Sequence, residues 1–216
     1  MRTTHLSPVF LALLVTACAG CGDGAAGKPP PGDSVPTPQG SGDGPVVVGL
    51  EDKPRVLIEP EAAKCVAPFE VADDAEASGG KYLTVRPKAC DGTEHKHIAD
   101  EKDPARTAGS AELEFTVGED GDYLLWVRKW TCCTCGDSWK MKIDGAEAFT
   151  FDCQGTTHRH WSWIAHQGAD GKVRFSLKKG PHKLVLTNRG ESGFRIDQIL
   201  FSADLSRVPA GKEKAR

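Results

Sequence analysis

Apolar and polar residues alternate along most of the chain with the period of two that marks a strand buried on one face. The clearest stretch is Ala111-Glu112-Leu113-Glu114-Phe115-Thr116-Val117, apolar at every odd position. Gly118-Glu119-Asp120-Gly121 breaks it, and residues 122–130 return as a second strand, so the pair reads as a hairpin. Upstream, residues 55–58 and 81–85 carry the same signal. Downstream, residues 138–143 run into Asp144-Gly145, a favoured hairpin turn. Residues 148–152, 161–165, 173–177, 183–187 and 194–201 complete the set, with Lys179-Gly180-Pro181 breaking the chain before the penultimate strand. Only the acidic, alanine-rich residues 71–77 suit a helical turn. Short strands separated by turns predict an all-β fold, an antiparallel β-sandwich.

The ends of the chain depart from this pattern. A short apolar run, Val9-Phe10-Leu11-Ala12-Leu13-Leu14-Val15, follows Arg2 and is too short to span a bilayer, so residues 1–17 read as a signal peptide. It ends in Val15-Thr16-Ala17-Cys18, which resembles a bacterial lipobox with Cys18 as the lipidated residue, Cys21 being the second choice. Of residues 22–46, 13 are Gly or Pro and none is aromatic, so residues 18–46 read as a lipidated cysteine and a tether that cannot offset the entropy of folding. Residues 47–206 form the globular region and 207–216 a polar tail. The localisation this implies is export, with a lipid anchor at the outer membrane or surface of a bacterium.

Charge and motifs exclude several classes. With 27 Lys+Arg against 30 Asp+Glu, the net charge of −3 gives no general attraction to nucleic acid. No GxSxG, HExxH or P-loop sequence is present, so an enzyme is not expected. Six cysteines fall in the globular region: Cys65, Cys90, Cys132, Cys133, Cys135 and Cys153. In an exported chain they read as three disulfides, with at least one bridge from the 130–137 loop to Cys153. The alternative is a zinc site drawing on Cys132, Cys135 and the alternating pairs His158/His160 and His95/His97.

Five segments in order carry a family resemblance: Gly121-Asp-Tyr-Leu-Leu-Trp-Val-Arg128; Gly136-Asp-Ser-Trp-Lys-Met-Lys-Ile-Asp-Gly145; Trp161-Ser-Trp163; Leu177-Lys-Lys-Gly-Pro-His-Lys-Leu184; and Asn188-Arg-Gly-Glu-Ser-Gly-Phe-Arg-Ile-Asp-Gln-Ile-Leu-Phe201. Their order resembles the galactose-binding-like jelly roll of carbohydrate-binding modules, close to families 6 and 35. Leu57-Ile-Glu-Pro-Glu-Ala62 is similar to the family's opening strand, although Pro60 stands where a small residue is usual.

The resemblance implies a glycan or polysaccharide partner. It implies sugar rings stacked on Trp130, Trp139, Trp161 or Trp163, with Asp137, Asn188 and Arg189 as polar partners. It also implies a structural Ca²⁺ held by Glu59, Glu61 and Asp197. Trp126, in phase with Leu124, belongs to the core. A structural or protein-interaction sandwich that has lost its sugar site is the competing reading.

Overall fold

The computed structural model describes residues 53–85, 108–133, 136–153, 155–156 and 158–215. The chain divides into Met1–Val46 and Val47–Arg216, and every described residue belongs to the second unit. The signal peptide, Cys18 and the tether lie outside the described residues, as do Cys90, Cys135, His95 and His97.

Fourteen strands are described: β1 (Arg55–Ile58), β2 (Lys64–Val66), β3 (Phe69–Asp73), β4 (Lys81–Val85), β5 (Ser110–Val117), β6 (Gly121–Thr131), β7 (Ser138–Ile143), β8 (Phe149–Asp152), β9 (Ser162–Ala165), β10 (Gln167–Gly168), β11 (Gly171–Lys172), β12 (Arg174–Leu177), β13 (Gly180–Thr187) and β14 (Phe194–Ser202). Short 3-10 turns occupy Pro60–Ala62 and Ser78–Gly80. A seven-stranded antiparallel sheet runs β12-β6-β14-β4-β3, with β9 also on β6 and β1 also on β14. A five-stranded sheet runs β2-β5-β13-β7-β8. Between them lies the main core, with Leu113, Phe115, Leu125, Val127, Trp139, Met141, Leu184, Ile199 and Phe201 among its members.

Two expectations are corrected. Residues 111–117 and 122–130 do not form a hairpin: β5 pairs with β13 and β2, whereas β6 pairs with β12, β14 and β9. The turn between them carries the chain from one sheet to the other. Their apolar faces therefore oppose across the core instead of lying side by side. Residues 71–77 make no helical turn, because Phe69–Asp73 is a strand paired with β4. The adjoining β2 was not predicted either: all three of its residues are exposed, so it has no alternating pattern.

Strand β6 is buried on both faces. Tyr123, Leu125 and Val127 enter the main core, while Leu124 and Trp126 join a second cluster with Ala165 and Leu200 on the opposite face. The chain after β14 covers that cluster. Leu205 packs against it, and Trp163 Nε1 donates to Gly211 O (2.9 Å). Glu213 is then held by Arg55 (2.9 Å), by both oxygens to Arg207 (2.8 Å), and by reciprocal bonds with the Gln198 amide. Residues 207–215 thus form a strap across the outer face of the larger sheet.

Candidate functional site

Alternation along β6 sends Arg128 and Trp130 to the outer face of the larger sheet, and β14 brings Arg195 opposite Trp130. The Arg195 guanidinium lies 4.0 Å from the centre of the Trp130 ring and 5.0 Å from that of Tyr82, and pairs with Asp74 at 2.9 Å. Tyr82 meets Trp161 edge-on at 6.0 Å, and Arg128 lies 5.1 Å from the Trp161 ring centre. The result is an aromatic–arginine ladder, Trp130–Arg195–Tyr82–Trp161–Arg128, in which both indoles remain partly exposed. The segment His158-Arg159-His160 borders it: Thr131 Oγ1 lies 2.8 Å from His158 Nδ1, and the Arg159 amide donates to Thr131 O (2.8 Å).

The sequence-predicted sugar-stacking tryptophans fall into three places. Trp130 and Trp161 share the ladder. Trp163 points to the same face but is capped by the strap. Trp139 is corrected: it is 0% exposed, stacked on Phe151 and packed at a tilt against Phe194 inside the sandwich, so it offers no surface to a sugar.

Asp137 and Asn188 are also corrected, since both are buried in a network around Glu191. Glu191 accepts from the Asp137 and Ser138 amides and from Ser138 Oγ (2.6–3.0 Å), while Asn188 Oδ1 accepts from the Gly190 and Glu191 amides. Arg189 donates to Ser138 Oγ (2.8 Å) and is only partly exposed. Burial, reinforced by the neighbouring charges of Glu191 and Asp152, pushes the Asp137 pKa up to about 6. Lys129 lies beside it, 0% exposed, and burial lowers its pKa.

Tyr82, Arg128, Arg195 and Glu191 are the residues that sequence reasoning missed. Arg128, Arg195 and Glu191 stood inside the family-like segments, but nothing local showed that the two arginines would sandwich aromatic rings from other strands.

Cys65 and Cys153 are free thiols, so the expectation that all six domain cysteines pair, with a bridge reaching Cys153, is corrected. Cys132 and Cys133 are not among the free thiols, and no group of three or more His, Cys, Asp or Glu side chains that could hold a zinc ion gathers among the described residues. Burial pushes the Cys153 thiol well up, which leaves it protonated and unreactive.

Of the three carboxylates expected to hold Ca²⁺, Glu59 and Asp197 both meet Ser78, and Glu61 lies against Gly79. Glu59 Oε1 accepts from Gln198 Nε2 (2.7 Å) and Ser78 Oγ (3.1 Å). Asp197, the extra residue where the β6–β14 register shifts, accepts from the Ser78 amide through Oδ1 (2.6 Å) and from Arg128 through Oδ2. Gly79, at φ +59°, passes so close to Glu61 that a Cβ there would lie 2.9 Å from Glu61 Oε1. Among the described residues, however, no three or more His, Cys, Asp or Glu side chains converge as a metal-holding group. Both Asp197 oxygens are already committed. The donor set therefore does not fit a calcium cage.

No family model and no curated protein matches the chain. Several solved structures resemble it. A family 35 carbohydrate-binding module from Clostridium thermocellum is 15% identical, with a TM-score of 0.45 over 68% of this chain and 96% of that one. The C-terminal family 6 module of a marine laminarinase from Zobellia galactanivorans is 13% identical, with a TM-score of 0.44 over 68% and 98%. A GH26-CBM35 β-(1,4)-mannanase from Podospora anserina is 15% identical, with a TM-score of 0.49 over 73% of this chain and 29% of that chain, so the chain spans under a third of that enzyme's length.

Proposed function

We propose that this chain is a non-catalytic glycan-binding β-sandwich, carried at a bacterial surface through lipid on Cys18 and the tether of residues 18–46. The observation that carries the reading is the placing of two partly exposed indoles, Trp130 and Trp161, on one sheet face, each against an arginine. A guanidinium against a ring fixes the indole before any ligand arrives, so stacking a pyranose on its exposed part costs little side-chain entropy. Arg195 and the His158-Arg159-His160 segment supply hydrogen-bond donors beside the rings for sugar hydroxyls. Asp137 and Asn188 have no such role, because both side chains are buried beside Glu191 and away from the ladder.

A glycan array followed by calorimetry tests this. Trp130→Ala and Trp161→Ala are each expected to weaken binding by roughly 1–2 kcal/mol, about five- to thirty-fold, while leaving the melting midpoint near that of the unaltered chain. An array on which no glycan binds, or alanine variants that bind as well as the parent, overturns the proposal. That result would favour a protein-interaction sandwich, a reading supported by Arg195 covering one face of Trp130 and by the strap across Trp163.

A further inference from the structure

The acidic cluster sits where the first and last strands of the sandwich, β1 and β14, lie side by side. Glu59 follows β1, Glu61 lies in the first 3-10 turn, and Asp197 is fully buried at the register shift in β14. Three such acids together repel and call for positive charge. The chain supplies that charge itself. Arg128 donates from β6 to Asp197. Gln198 and Ser78 donate to Glu59. Glu59 Oε2 and Glu61 Oε2 are buried without hydrogen-bond partners.

We infer that the Arg128 guanidinium takes the place a divalent cation would hold, so that the clasp between the terminal strands is independent of metal. Arg128 also reaches Glu76 O (3.4 Å) and the Trp161 ring. The same side chain therefore ties β6 to β14 and positions the Trp161 indole, a consequence that matters for ligand binding only under the glycan reading above.

Thermal melts of the full chain in millimolar calcium chloride and in excess EDTA test the clasp without any ligand. The midpoint is expected to be the same in both. Arg128→Met, which leaves Asp197 buried and unpaired, should melt roughly 6–20 °C lower, and adding Asp197→Asn should restore part of the loss. Tryptophan emission should change on Arg128→Met in the parent but not in a Trp161→Phe background, a readout that lost stability alone does not move. A midpoint that calcium raises by several degrees, with the gain abolished by Glu59→Gln and Glu61→Gln, overturns the inference. So does Arg128→Met melting like the parent. Should that variant fail to fold, the calcium and EDTA melts of the unaltered chain decide. Failure to bind glycan would leave these outcomes unaffected.

Discussion

His182 shows how much a single side chain can be fixed by its surroundings. Its ring stacks on Phe115 at 5.3 Å, while Nδ1 lies 2.5 Å from Asp144 Oδ2 and Nε2 lies 2.6 Å from Lys178 O, so both nitrogens face acceptors. Burial by itself pushes the imidazolium pKa down, but the Lys178 carbonyl and the Asp144 carboxylate outweigh it and the net shift is upward. A raised folded pKa means that the stabilisation is fully present below the ordinary imidazole value of about 6.5 and is lost as pH rises through the folded pKa. The melting midpoint of the parent should therefore exceed that of His182→Gln most in mildly acidic buffer, and the margin should shrink toward pH 8. A margin that grows with pH would reverse the assignment. The tryptophans teach a different lesson at the same scale. Trp139 alternates with Met141 and Ile143, so its core position was written in the local pattern. Trp130 and Trp161 carry no such signal, because their rings are placed by Arg195, Arg128 and Tyr82 from distant parts of the chain.

At the level of elements, the strands with one apolar face lie where alternation predicts them, and the hairpin expected at Asp144-Gly145 forms between β7 and β8, but the one expected between β5 and β6 does not. Strand β5 lies where its alternation predicts, yet it pairs with β13 over Gly180–Thr187 and not with the strand that follows it. Alternation states which face is buried but not which sheet a strand joins, since either choice buries the same residues. Strand β6 is buried on both faces because the terminal strap supplies a second layer, which no periodicity within residues 121–131 can show. Glu213 holds that strap, with Arg55 and Arg207 on its carboxylate and the Gln198 amide on its backbone. Glu213→Ala should cost about 2 kcal/mol, lowering the melting midpoint by roughly 4–8 °C and shifting Trp163 emission to longer wavelength as its indole meets water. An unchanged midpoint and emission would mean that the strap is not docked in solution.

For the molecule as a whole, the two-sheet sandwich does the work expected of its cysteines. Cys65 is exposed on the short strand β2, while Cys153 is buried in the main core among Trp139, Phe151 and Phe194. Alkylation of the folded chain followed by peptide mapping should therefore modify Cys65 readily and Cys153 only after denaturation. Equal labelling of both under native conditions, or neither labelled after unfolding, would contradict the packing. The all-β class, the positions of most strands and the core role of Trp126, Ala111, Leu113, Phe115 and Val117 were determined by sequence, because each rests on a local period of two and on turn residues. The pairing of β5, the strap over β6, the arginine ladder and the capture of Asp197 by Arg128 were decided by tertiary structure alone. Each joins residues far apart in the chain, and only the closing of the two sheets brings them within reach of one another.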